Sequence, residues 1–328
     1  MNIEYVRASS VNTYGGCEFQ YFLEYVLNIP SQSGKKALLG TIVHHVLEIM
    51  ARAKKNNHSP DKFTDAENLL RICWDRYEKE EGHNFDLKPA DYRFCTRTID
   101  KVIGTAYDPM NLNVIDVEKR FQIPLKTEGF SFDFYDIMEK TQKSGYYELR
   151  GTSDLITEID SDTLEIVDWK TGSRKDWNTG KLKDYEYLSS KDLQLRMYDL
   201  AMSLVYPQYK TRLLTIHFIN DGGPFTVTFD DAQRKETLEI LRGKINDIRD
   251  NWMPARMKEV NPRDARWKCK NVCYFGKTKG PSGMCHCDNV YSYMLHNGIE
   301  ETMSKAAEIR NNKDKEDTSS TSNRRNVY

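Results

Sequence analysis

The hydrophobic period of this chain changes character once, near Val114, and that change restricts the folds open to it. Before it, residues 11–27, 40–53, 65–80 and 92–107 place apolar side chains at helical spacing, with breaks at 56–60 and 82–89. After it, residues 114–118, 148–159, 164–170 and 212–220 read as strands. Asp160-Ser161-Asp162 is a turn joining two of these strands, so they predict a hairpin, and Thr171-Gly172-Ser173 ends the second. A helix over 190–205, two more strands ending near Phe229 and a helix over 231–252 follow. The order predicts an α/β protein: a mixed β-sheet flanked by helices and preceded by a helical lobe.

With 328 residues, 39% of them hydrophobic, the chain can bury one large core. The expectation is a single decorated domain over 1–303, made of a helical lobe (9–110), a core (111–252) and a cysteine-rich segment (253–303). The polar, charged stretch 304–328 is expected to be disordered. Lysine plus arginine (48) balances aspartate plus glutamate (49), so no broad basic field announces a nucleic-acid partner. Any such contact must be a local patch. Arg93, Arg97 and Lys101, and Arg174, Lys175, Lys181 and Lys183, are candidates, although charge runs are ordinarily solvated faces. Apolar runs such as 213–218 are too short to span a bilayer and the first residues lack a signal-peptide pattern, which predicts a cytoplasmic protein without a membrane partner.

The chemistry concentrates in Leu164-Glu165-Ile166-Val167-Asp168-Trp169-Lys170. Strand alternation turns Ile166, Asp168 and Lys170 to one face and Val167 and Trp169 to the other. The preceding strand carries Gly151-Thr152-Ser153-Asp154, and hairpin pairing can set Asp154 beside Asp168. Two neighbouring carboxylates repel unless one keeps a proton or a hard cation such as Mg²⁺ or Mn²⁺ sits between them. An Asp-x-Lys triplet alone is not specific: Asp86-Leu87-Lys88 repeats it in a polar, proline-flanked stretch without strand pattern.

Four ordered motifs, Gly40-Thr41-Ile42-Val43-His44, Gly151 to Asp154, Asp168-Trp169-Lys170 and Gln194-Leu195-Arg196-Met197-Tyr198, resemble those of the PD-(D/E)XK nuclease superfamily, specifically its RecB-like exonuclease branch. The likeness covers most of residues 9–290. It implies a PD-(D/E)XK core of mixed sheet flanked by helices, with His44, Asp154, Asp168 and the Trp169 carbonyl on Mg²⁺ or Mn²⁺ and Lys170 at the attacking water. Glu118 matches an acidic position of the branch more weakly, since Asp116 lies two residues away. Gln194 and Tyr198, four apart on one helix face, would position substrate. The implied reaction is hydrolysis of DNA phosphodiesters by activated water, as an exonuclease on single strands or duplex ends, in repair, recombination or phage genome processing and with a helicase or recombination partner. Without the resemblance, His44 beside His45 reads as a packing or surface histidine, and Gln194 and Tyr198 as a buried amide and a core tyrosine.

Seven cysteines and no export pattern argue against a disulfide framework. Cys73 and Cys95 sit in amphipathic helices as small core residues, whereas Cys269, Cys273, Cys285 and Cys287 crowd one glycine-containing stretch. Residues 10–19, around Cys17, resemble the N-terminal cysteine segment of RecB-like nucleases of the AddB and CRISPR-adaptation types, where one cysteine before the core and three after it hold a [4Fe-4S] cluster. Cys17, Cys269, Cys273 and Cys287, with Cys285 as alternative, are the implied ligands. Here three residues, not two, separate Cys269 from Cys273, and four thiolates suit zinc as well as iron–sulfur. The competing functional reading is a non-catalytic module that binds nucleic acid or protein and is stapled by a cysteine-bound metal.

Overall fold

The computed structural model describes residues 1–58, 65–81, 85–175, 180–280 and 283–324. The breaks read at 56–60 and 82–89 fall partly outside them. It is a mixed α/β protein whose central mixed sheet is flanked by helices, as the change of period predicts. The chain divides into two compact units of interleaved segments, residues 1–32, 124–148 and 241–328 in one and 33–123 and 149–240 in the other.

The unit built from 33–123 and 149–240 carries every candidate carboxylate. Its helices α1 (Lys35–Lys55), α2 (Ala66–Glu81) and α3 (Pro89–Asp100) form the lobe. Along α1, Leu38, Leu39, Ile42, Val43, Val46, Leu47 and Met50 recur every three or four residues and are buried. They pack with Cys73, Cys95, Leu155, Val167, Trp169 and Ile219 in one cluster, so one face of the sheet is the floor of the lobe. Removing this apolar surface from water is the main force seating α1 on the strands.

The strands are β1 (Val114–Pro124), β2 (Glu148–Asp160) and β3 (Thr163–Lys170), then, after helices α4 (Tyr185–Ser190) and α5 (Leu193–Val205), β4 (Thr211–Phe218) and β5 (Phe225–Val227). They lie in the order β2-β3-β4-β5, with β1 also paired to β2. The expected hairpin is present: β2 and β3 are antiparallel with Leu155 opposite Val167 and Ile156 opposite Ile166. β4 then adds parallel to β3, with Asp168 beside Ile216 and Lys170 beside Phe218. The crossover between them is helical, as a parallel connection requires. The helix expected over 190–205 begins at 193, where Asp192 caps it by accepting from Leu195 N–H, and the short helix α4 before it was not expected. In α5 the buried Asp199 takes a 3.0 Å ion pair from Arg212 of β4, which fixes the helix against the sheet.

The other unit contains helix Ala8–Gly16, interrupted at Cys17 where a continuous helix over 11–27 was expected, and a hairpin of Ser131–Asp136 with Thr141–Tyr146. That hairpin went unread because its second strand is polar and mostly exposed; the alternation of Phe132 and Phe134 in the first was the available signal. Helices Pro262–Asn271 and His286–Asn297 occupy the cysteine-rich segment. Helix Ile299–Arg324 runs into the stretch 304–328, with Met303 and Ala307, four apart, buried near its start.

Gly151 has a packing reason. A Cβ there would stand 2.4 Å from the Phe121 ring, which itself packs edge-on against Tyr198 at 6.0 Å between centroids. Gly151→Ala should therefore destabilise by about 1–3 kcal/mol through overpacking. Thermal denaturation should show Phe121→Leu recovering part of that loss in the Gly151→Ala background; a Gly151→Ala protein as stable as wild type contradicts the packing.

Candidate active site

The hairpin ends where the chemistry begins. Past its last ladder pair, Leu155 with Val167, Trp169 N–H donates to Asp154 Oδ2 at 2.9 Å, so Asp154 replaces a ladder partner and is held beside Asp168. The Lys170 ammonium meets Asp168 Oδ2 at 2.6 Å. From α5, Gln194 Nε2 donates to Asp168 Oδ1 at 2.8 Å and to the Tyr198 hydroxyl at 2.9 Å, and that hydroxyl donates to the Thr152 carbonyl at 2.7 Å. From α1, His44 Nδ1 stands 3.5 Å from Asp154 Oδ2. Six sequence-predicted residues, His44, Asp154, Asp168, Lys170, Gln194 and Tyr198, are thus joined in one polar network.

Gly40 explains how α1 comes so near. A Cβ at that position would lie 2.9 Å from Thr171 Oγ1, so the first turns of the helix pass close over the end of β3. An open pocket of 520 Å³ results, lined by Lys36, Gly40, Thr41, His44, His45, Glu48, Tyr77, Glu118, Asp154, Trp169, Lys170 and Thr171 among others. The Trp169 side chain is buried in the lobe cluster, while its backbone runs between the two charged neighbours.

Glu118 joins the pocket and Asp116 does not. Asp116 is held elsewhere, by Lys55 at 2.6 Å and the Tyr206 hydroxyl at 2.7 Å, which lower its pKa to about 2 despite partial burial. Strict alternation would give both the same face. Glu118 has φ +49°, a left-handed conformation that breaks the alternation of β1 and re-aims its side chain. Such strain in a non-glycine residue is a common mark of functional sites.

Gln194 and Tyr198 are turned inward, Tyr198 being only 7% exposed, so in this arrangement they orient Asp168 and the backbone at Thr152. Glu48, His45 and Tyr77 were missed from sequence. Glu48 had a signal, since it follows His44 by four residues on one helix face. The Tyr77 hydroxyl stands 3.4 Å from His45 Nδ1, a tertiary contact that no local pattern announces.

The electrostatics are those of an excess of negative charge with partial compensation. Burial, then the Asp168 charge, raise the pKa of Asp154. Burial, then Asp154 and Glu48, push Glu118 up to about 7. For Lys170, burial acts to remove the proton, but Asp168 and Asp154 outweigh it and hold the pKa above that of ordinary lysine, so the ammonium stays charged. Asp168 Oδ2 is buried without a hydrogen bond of its own and is met only by that ion pair. Among the described residues no three His, Cys, Asp or Glu side chains stand at the spacing of a closed metal site. The donor set nevertheless fits a hard divalent cation in kind: carboxylate oxygens and an imidazole nitrogen.

A pH signature follows. Because the folded-state pKa of Glu118 exceeds its unfolded value, its contribution to stability is complete at acid pH and is lost as pH rises through about 7. Glu118→Gln should raise the melting temperature in metal-free buffer more at about pH 8 than at about pH 5; equal shifts at both contradict this environment.

The sequence matches the PD-(D/E)XK nuclease superfamily over residues 6–276. No curated protein matches. A solved protein from Eubacterium rectale, described as a "Putative exonuclease", shares 14% identity over 78% of this chain and 85% of its own, with a TM-score of 0.46. Since the family match spans well over half of the chain, this protein belongs to the PD-(D/E)XK nuclease superfamily.

Proposed function

We propose that the protein is a Mg²⁺- or Mn²⁺-dependent deoxyribonuclease of the RecB-like branch, an exonuclease acting on single strands or duplex ends, in recombination, repair or phage genome processing beside a helicase or recombination partner. The observation that carries the reading is the convergence of Asp154, Asp168 and Lys170 at the end of one hairpin, under a pocket that also receives His44 and Glu118. Asp154, Asp168, His44 and the Trp169 carbonyl would hold the cation, with Glu118 as a further acid. When bound, the cation supplies Lewis-acid polarisation of a phosphoryl oxygen and makes water a better nucleophile at neutral pH.

The remaining work falls to side chains. Lys170, kept charged by its neighbours, offsets the negative charge that builds on the phosphoryl oxygens, and does so from a fixed position. Gln194 and Tyr198 stop the Asp168 carboxylate from rotating, so the geometry is set before substrate arrives. In this reading water is the nucleophile and no covalent intermediate forms.

Five thiols of the other unit, Cys17, Cys269, Cys273, Cys285 and Cys287, line one 380 Å³ pocket. Burial raises the pKa of Cys269, Cys273, Cys285 and Cys287, that of Cys273 to about 11, and neighbouring thiols raise each of the first, second and fourth further. Thiols gathered in one pocket are the kind of set a soft metal binds, taking them as thiolates. We propose a structural [4Fe-4S] cluster there, with Zn²⁺ as the alternative, on Cys17, Cys269, Cys273 and Cys287. Cys285, whose Sγ accepts from Asp288 N–H at the start of helix His286–Asn297, is the alternative to Cys287 as the fourth ligand.

Labelled single- and double-stranded DNA incubated with Mg²⁺ or Mn²⁺ should be cut by wild type, and Lys170→Ala should lower the rate by about 10²–10³-fold while leaving the fold intact. Full cutting by Lys170→Ala removes the mechanism; binding without cutting by wild type supports the non-catalytic module instead. Anaerobically purified protein should be brown and contain iron. Cys287→Ala should lose bound metal far more than Cys285→Ser, a loss read by metal analysis, and zinc without iron would select the alternative.

A further inference from the structure

Along one wall of the candidate active site, α1 places Lys36, Gly40, His44 and Glu48 at intervals of four residues, and all four line the 520 Å³ pocket. At a helical rise of about 1.5 Å per residue, Lys36 stands about 12 Å from His44, and Glu48 about 6 Å from it on the other side. The wall is therefore charged in opposite senses at its two ends. Glu48, held by Arg52 at 2.8 Å, lines the acid end with Glu118. The lysines near the other end are used differently from one another. Lys35 is tied to Asp91 at 2.5 Å and to the Asp86 carbonyl, which fastens α1 to α3, and Lys170 is tied to Asp168 at 2.6 Å. Lys36 is exposed and, among the described residues, pairs with no acid.

Lys36 does nothing for the helix that carries it. The first turn of α1 holds Lys35 and Lys36, no acid and no side-chain cap, so its charge opposes the helix dipole instead of complementing it. We propose that Lys36 is a substrate-positioning residue, its ammonium meeting a backbone phosphate of the nucleic-acid strand beside the scissile one, on one side of the scissile bond only. The proposal rests on the nuclease reading above and gives the strand its path through that site. Reach decides which phosphate is met: His44 and the carboxylates mark the place of the scissile group, and about 12 Å of helix is a separation that a lysine side chain does not close. The acid end decides the side. Glu48 and Glu118 disfavour phosphate, so the strand leaves the pocket past Lys36, and the part lying over Glu48 gains no phosphate contact. An ammonium is a point charge that meets phosphate without reading bases, so the contact is independent of sequence.

The test uses the full chain and oligothymidylate of about 16 nucleotides, hydrolysed with Mn²⁺ and bound in EDTA. Lys36→Gln should raise KM about five-fold with kcat little changed, and Lys36→Arg should restore it. In EDTA, Lys36→Gln should lower the slope of log affinity against log salt by about 0.7, the value for one phosphate contact on a single strand. Replacing one phosphate at a time by uncharged methylphosphonate should find a single position, on one side of the scissile bond, whose neutralisation weakens wild type about five-fold and Lys36→Gln no further. Lys35→Gln should lower the melting temperature without that signature. A folded Lys36→Gln protein with the KM and salt slope of wild type overturns the proposal. So do losses that add to those of the variant at every neutralised phosphate, or equal losses on both sides of the scissile bond. Wild type that binds without cutting contradicts the nuclease reading, and the binding arm still decides for or against Lys36.

Discussion

Two buried carboxylates side by side are the constraint around which the candidate site is organised. Burial, then the Asp168 charge, raises the cost of ionising Asp154, and the surrounding groups read as answers to that crowding: an ammonium 2.6 Å from Asp168, an imidazole 3.5 Å from Asp154, and an amide fixing the orientation of Asp168. Left to stability alone, a hairpin end would carry apolar or singly charged residues. Retaining a strained arrangement of acids is what a site for a divalent cation demands, and it sits naturally in a chain that belongs to the PD-(D/E)XK superfamily.

The scaffold makes the arrangement possible through absences of side chain as much as through contacts. Gly40 lets α1 pass over Thr171, and Gly151 leaves room for the Phe121 ring that presses on Tyr198. Both glycines serve the positions of their neighbours. The lobe cluster under Trp169 and Val167 holds the opposite face of β3, so the strand that carries Asp168 and Lys170 is clamped from both sides.

Much of this was legible from residue order because it is local. Alternation in β3, the turn at 160–162 and the antiparallel hairpin all follow from spacing, and they place Asp154 next to Asp168 without tertiary information. Helical periodicity found the lobe for the same reason. What escaped depended on contacts distant in sequence or on departures from regular backbone. Glu118 enters the pocket through a left-handed φ that no propensity foretells. Asp116 leaves it because Lys55 and Tyr206 claim its carboxylate. The convergence of Cys17 with cysteines some 250 residues away came from family resemblance, not from spacing.

The most direct measurement is calorimetric titration of Mn²⁺ into the protein near pH 6, repeated in buffers of different ionisation enthalpy, with Asp154→Asn and Asp168→Asn beside wild type. Acids whose pKa values are raised toward neutrality hold protons that a bound cation must expel, so wild type should bind Mn²⁺ with net proton release and both variants should lose most of the binding. Binding that releases no proton, or that survives in both variants, would mean that the paired carboxylates are not the cation's ligands.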